Sequence, residues 1–364
     1  MDAKKKRILR AVFAWIVAAA TVVALILANF MASRYSNLIS VYLNMSNQKI
    51  EQADDEETEH FTSDYSSKEE MKTNLKEIGK QIEAEGAVLL ENNGTLPLSD
   101  ASRITILGQD SVDPVYGGGG AGSVDTTTAV DLYTGIQEAG YQTNDTVYSF
   151  YTEGAGSTYR KTVPDAYGEG SFGVNEVPVS EFTDEVLDSF ADYNDAAVVV
   201  IGRSGGESSD LQTTPLDNGY YYLQLDDNEK ELINLACRNF ENVVVLLNTQ
   251  NPLELGDLEN TDVDAVLWIG ALGETGAEGV GEILSGEVSP SGRLVDTYAY
   301  DSQSAPSMAN FGSYSIENCD VDRAGTYMVY SEGIYVGYRY YETRYEDVVM
   351  GNEDIANYDY TQEV

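Results

Sequence analysis

Residues 198–211 read VVVIGRSGGESSDL, an apolar run that ends in a glycine-rich turn with Glu207 at its tip and Asp210 shortly after. A carboxyl in such a turn suits proton transfer. A partly desolvated loop lifts its pKa, and a second carboxylate across the substrate completes the pair. The same pattern also fits a solvated loop residue at the end of a buried strand, so the stretch alone leaves both readings open.

A second glycine-rich loop, YGGGGAGS at 116–123, matches G-x-G-x-x-G through Gly117, Gly119 and Gly122. After a strand and before a helix, this is the form in which backbone amides hold a pyrophosphate. Here the segment QDSVDPVY separates the apolar run from the first glycine, whereas the tight turn of a dinucleotide site begins at the strand end. Asp110 and Asp113 would also repel phosphate. A nucleotide enzyme and a loop without ligand remain the two readings of this loop taken alone.

The charge balance narrows the partners. There are 21 Lys and Arg against 61 Asp and Glu. Six of those bases and one of the acids lie in the first 34 residues, which leaves 15 against 60 in the remainder. So acidic a surface repels nucleic acid and leaves neutral substrates open. The segment AVFAWIVAAATVVALILANF, residues 11–30, carries no charge and is long enough to span a bilayer. KKKR before it should stay cytoplasmic and place the residues after Arg34 outside. A cleaved signal peptide competes with this reading, but the run exceeds a usual signal core and NFMASRY is a poor cleavage site, so an uncleaved anchor is expected. His60, the single histidine, sits in the polar stretch DDEETEHFTSDYSS, which excludes a histidine base elsewhere in the chain. Cys237 falls in an apolar helical pattern, and whether it pairs with Cys319 is open.

The elements that must position these loops are set by periodicity. A helical pattern with Leu75, Ile78 and Ile82 runs from Met71 and continues towards Val88 and Leu89. Short apolar runs then appear at 104–108, 196–202, 243–248 and 265–270, alternating with helical candidates at 127–139, 181–193, 227–239 and 275–285. Continuous apolar strands between amphipathic helices predict an α/β fold, a three-layer sandwich with a mostly parallel sheet. In such sheets function gathers at the carboxyl ends of the strands, which is where Glu207 falls. GIYVGYRYYETRYEDVV, residues 333–349, alternates like a strand, and no closing helix is predicted beyond it.

Together, EGAVLLENNGTLPL (85–98), GGGGAGSV (117–124), VVVIGRSGGESSDL (198–211) and WIGALGETGAEGVGEILSGEVSPSGRLVDTY (268–298) resemble, in order and spacing, the α/β-sandwich domain of glycoside hydrolase family 3. YSEGIYVGYRYYE (330–342) is similar to the exit from that domain towards a fibronectin-like module. The resemblance implies part of a retaining β-glycosidase with two carboxyl groups roughly 5 to 5.5 Å apart. Glu207 would be the acid/base. Tyr116, Gly118, Gly119, Gly120 and Asp210 would shape the substrate side. The substrate would be a β-linked glucoside or oligosaccharide, with no cofactor and no metal. The family's nucleophile is an aspartate in a separate barrel of about 250 residues, and nothing in this sequence resembles that barrel. The chain therefore resembles the front of a member with reversed domain order, its barrel expected in the same or another chain. Ser208 stands where glycine commonly comes after the catalytic glutamate, and Glu91 where lysine is common. The expected organisation is a basic stub (1–10), a transmembrane helix (11–30), an acidic linker (31–70), the sandwich (71–300) and an extension (301–364). The alternative is a non-catalytic carbohydrate-binding or cell-surface interaction module.

Overall fold

A computed structural model describes residues 3–43, 63–98, 102–160, 173–207, 211–317 and 325–351. The chain divides at Ser66/Ser67 into two units. In the first, helices α1 (Ala3–Arg34) and α2 (Ser36–Tyr42) stand in succession. An 18-residue stretch within Lys4–Arg34 has a mean hydropathy of 2.6, and the helix is long and apolar enough to cross a bilayer or to serve as a signal helix.

The second unit begins with α3 (Lys68–Gly86), capped by the Ser67 hydroxyl, which accepts the Glu70 N–H. This helix buries Glu83 and Ala84, while Leu75, Ile78 and Ile82 are 54, 41 and 67 % exposed. The helical pattern stops at Gly86, and Val88–Asn92 forms strand β1. Next come β2 (Arg103–Leu107), α4 (Leu132–Glu138), β3 (Gln142–Thr143), α5 (Asp145–Thr152) and α6 (Asp184–Ser189). The series continues with β4 (Ala196–Arg203), α7 (Asp227–Asn239), β5 (Val243–Thr249), β6 (Ala265–Trp268) and α8 (Gly276–Ser285). Side chains of Asp131, Asn144 and Thr183 cap α4, α5 and α6, and a full capping box of Asp226 and Glu229 opens α7.

The sheet runs β1-β6-β5-β4-β2-β3. Its pairs are parallel except β1 with β6. Every residue of β4 and β5 is buried, as strands covered on both faces require. Alternate residues enter different cores: Ala197, Val199 and Ile201 pack with α5 to α7, and Ala196, Val198 and Val200 with α4 and α8. The strand order makes the site's position explicit. From β2 the chain moves outward to β3, then returns to β4 on the other side of β2. The crevice between the carboxyl ends of β2 and β4 is thus a topological switch point, the place where such sheets bind ligands.

Beyond α8, a two-stranded pair joins β7 (Tyr314–Ser315) and β8 (Thr326–Tyr327). Residues Tyr338–Met350 form helix α9, where alternation had predicted a strand. Tyr, Val and Arg at alternate positions of 333–349 fit either period in so short a run, and in this segment the helix prevails.

Candidate functional site

The switch-point crevice is built from the strand ends upward. β4 finishes at Arg203, whose side chain is fully buried. The Glu229 carboxylate receives Arg203 Nη1 at 2.7 Å and Nη2 at 2.8 Å. Arg203 also donates from Nε to the Tyr222 carbonyl at 2.6 Å and from Nη2 to the Gln224 carbonyl at 2.8 Å. One guanidinium therefore ties the end of the strand to the far end of the loop that leaves it. Ser204 N–H adds a bond to the Tyr222 hydroxyl at 2.9 Å. Glu229 is at once the partner of Arg203 and the capping-box acid of α7, accepting the Asp226 N–H at 2.9 Å.

On the other side of the crevice, β2 runs into Gly108 at φ 102°, where a Cβ would meet the Val200 carbonyl at 2.3 Å. Only glycine fits so close an approach with that backbone. Asp110 then accepts the Gly202 N–H at 2.8 Å, which brings the two strand ends together. Asn248, buried at the end of β5, donates to the carbonyls of Val115 at 3.1 Å and Gly270 at 2.6 Å, and Gly273 N–H reaches the Tyr116 carbonyl at 2.7 Å.

The two glycine loops touch directly. Gly119 N–H donates to the Gly205 carbonyl at 3.2 Å, and Gly119 and Gly206 form a parallel bridge. A Cβ on Gly206 would stand 2.7 Å from the Gly119 nitrogen. Gln250 Oε1 receives the Gly205 N–H at 2.9 Å, and Asn251 Nδ2 donates to the Ser204 carbonyl at 3.3 Å. Glu207 projects from this frame, exposed, with Oε2 accepting the Ala121 N–H at 3.2 Å. Together these groups line a cleft of about 540 Å³ bordered by Tyr116, Gly118, Gly119, Glu207, Gln250 and Asn251. Burial pushes the Tyr116 hydroxyl up to about 12, helped by the charges of Asp131 and Asp113.

No pyrophosphate cradle exists here. The glycines lead into a three-residue turn at Gly120–Gly122, and α4 starts only at Leu132. Glu207 thus stands as an exposed carboxyl at the tip of a turn braced by its neighbours, facing an open cleft.

The sequence pattern of the glycosyl hydrolase family 3 C-terminal domain matches residues 87–338. The chain belongs to this family. A β-glucosidase from Ruminococcus albus is 36 % identical over 278 residues, 75 % of this chain and 27 % of that enzyme. β-Glucosidase A from Butyrivibrio fibrisolvens is 29 % identical, over 78 % of this chain and 34 % of its own length. The structure of β-glucosidase 3B from Thermotoga neapolitana in complex with glucose superposes with a TM-score of 0.61 at 29 % identity, covering 75 % of this chain and 37 % of that one. The chain thus spans about a quarter to a third of the length of these two curated relatives.

Of the residues expected from sequence, this family 3 domain brings Tyr116, Gly118, Gly119 and Glu207 into one cleft. Gly120 begins the adjoining turn at φ 68° and does not line it. Asp210 lies outside the described residues, as do Ser208, His60 and Cys319. Cys237 is half-buried on α7, and burial pushes its thiol up. Sequence reasoning missed Arg203, Glu229, Asn248, Gln250 and Asn251. The signal available was position: NTQN ends the apolar run of β5, whose carboxyl end borders that of β4.

Proposed function

We propose that this chain supplies the acid/base half of a retaining β-glucosidase, with Glu207 as the proton-transfer residue. The observation that carries the reading is Glu207 at the tip of a braced glycine loop, inside the cleft at the switch point. Glu207 would protonate the glycosidic oxygen as the bond breaks, then take a proton from the water that releases the sugar. Tyr116 offers a ring for stacking, and Gly118 and Gly119 let backbone approach the substrate. Gly120 and Asp210 are the remaining candidates for the substrate side. The nucleophile is an aspartate from a barrel that these residues do not resemble, positioned within roughly 5 to 5.5 Å of Glu207.

The substrate class, a β-linked glucoside or oligosaccharide, rests on the relatives' activity. No cofactor or nucleic acid enters this reading. Residues 71–300 act as the sandwich, with 301–364 leading towards a fibronectin-like module. Residues 11–30 anchor the chain, the basic residues 1–10 remain cytoplasmic, and 31–70 form the linker to an extracellular domain.

The test is reconstitution. Mixed with the separately produced remainder of the Ruminococcus albus enzyme, the chain is expected to hydrolyse an aryl β-glucoside with a poor leaving group, and its Glu207→Gln variant is not. Equal rates from both would remove Glu207 from the chemistry.

A further inference from the structure

One face of helix α3 packs and the other does not. Gly79, Glu83 and Ala84 turn to α8: a Cβ on Gly276 would stand 3.1 Å from Glu83 Oε2, and one on Gly279 3.1 Å from the Ala84 nitrogen. The opposite face carries Met71, Leu75, Ile78 and Ile82. Their spacing of four, three and four residues is the a/d pattern by which helices pair. Leu75, Ile78 and Ile82 are exposed and Met71 is half-buried. Between Val88 and Arg293, by contrast, Leu89 and Tyr148 are the large apolar side chains left exposed among the described residues. Apolar side chains lined up on one helix in this way mark a surface that packs against another molecule or segment. At the end of the line, Ile82 borders a cavity with Leu294 and Val295, the latter 99 % exposed, which widens the apolar surface there.

The charges at the two ends of the line select its occupant. On the same spacing, exposed Lys68 comes three residues before Met71 and exposed Glu85 three after Ile82. Residues 68 and 85, 71 and 82, and 75 and 78 lie equally far from one central point of the helix. A second α3 turned end for end therefore sets Lys68 against Glu85, Met71 against Ile82 and Leu75 against Ile78, and two-fold symmetry repeats each contact. A parallel copy would instead oppose like charges at both ends. Flanking the line are Lys72, Asn74, Gly79 and Gln81, with no acid among them. Outside the first 34 residues the chain has 60 acids against 15 bases, so two copies repel over much of their surface. The α3 line offers an approach without that repulsion. We propose that this face of α3 is a homodimer interface, in which two copies pack α3 antiparallel across a two-fold axis with a Lys68–Glu85 ion pair at each end. Packing on α8 already holds each α3 as a helix, so association does not have to order it. A seam about 26 Å long belongs with the smaller, reversible interfaces. The proposal is independent of the acid/base reading of Glu207.

Sedimentation velocity of the full chain in detergent is expected to show a monomer–dimer equilibrium. Ile78→Lys, which puts a charge at the centre of the seam, should weaken the dimer about a hundredfold. Lys68→Glu and Glu85→Lys should each weaken it about tenfold, because symmetry applies every substitution twice. Combining those two restores the opposite-charge pairs and should return the affinity to within about threefold of wild type. Cross-linking reads the direction of the helices. Residues 71 and 82 are about 16 Å apart along one helix. Under mild oxidation, a mixture of Met71→Cys and Ile82→Cys chains should therefore form a disulfide-linked dimer that neither variant forms alone, and that the wild type with its native cysteines does not form. A linked dimer from either variant alone would mean parallel pairing and overturn the proposal. A chain that stays monomeric would overturn it too, leaving the seam to a different partner. So would a dimer unmoved by Ile78→Lys, which must be held elsewhere, such as through α1.

Discussion

Arg203 and Glu207 stand at opposite ends of one short turn, and their surroundings could hardly differ more. Arg203 is fully buried, with both partners of its ion pair almost without exposure, whereas Glu207 is exposed and held at 3.2 Å by one backbone N–H. The contrast separates two tasks within one loop. The strand end fixes where the loop goes, and the tip keeps a carboxyl that still has lone pairs to offer a ligand. A glutamate locked as tightly as Glu229 would have no capacity left for substrate.

Removing the brace should have the largest effect. Arg203→Met strands the Glu229 carboxylate in the core and is expected to cost about 3–5 kcal/mol, read as a drop in the urea midpoint. Adding Glu229→Leu should recover much of that loss, because the unpaired charge goes too.

A second buried acid sharpens the comparison by lacking a partner. Glu83, packed between α3 and α8, has no hydrogen bond to Oε1 among the described residues, and burial pushes its pKa up to about 8 from an ordinary 4.5. Its folded pKa is raised, so the stabilised form is the protonated one. Stability is fully present below pH 4.5 and falls as pH rises towards 8, by at most about 1.4 kcal/mol per pH unit from this one group. Urea midpoints at pH 5 and pH 8 should therefore differ, and Glu83→Gln should narrow the gap. An unchanged gap would show that Glu83 is solvated.

Smaller still is the contact between the two loops. Gly206→Ala places a methyl 2.7 Å from the Gly119 nitrogen, and the expected cost is about 1–3 kcal/mol as the bridge opens. At the tip, Glu207→Gln should move stability by less than about 0.5 kcal/mol while abolishing proton transfer. A large loss of stability in that variant would make Glu207 a structural residue and erase its contrast with Arg203.

How much the sequence disclosed depended on how local the cause was. The strand runs around Val198, Val244 and Val266 were legible because strands buried on both faces leave no choice but continuous β-branched and aliphatic residues. Helix α7 was legible in the amphipathic pattern of 227–239, because the period of a helix is written in its own residues. Glu207 stood out because a glycine-rich turn after a buried strand is a local pattern. Arg203 and Glu229 gave no such signal, since their pairing spans the whole loop between β4 and α7. Gln250 reaches the Glu207 loop only because β5 lies beside β4, a fact of sheet order. Leu75, Ile78 and Ile82 disclosed helix α3 but not which of its faces packs. Their spacing describes an apolar face, but that face of α3 is exposed, and the close approach of Gly276 and Gly279 to Glu83 sets which side packs on α8.

The most direct measurement is the turnover of an aryl β-glucoside by the full chain alone, wild type beside Glu207→Gln. On the proposed reading, which gives this chain one carboxyl of a retaining pair, neither protein should release the aryl group above the uncatalysed rate. Turnover by the wild type that disappears in Glu207→Gln would contradict this, because the nucleophile would then have to lie within these 364 residues.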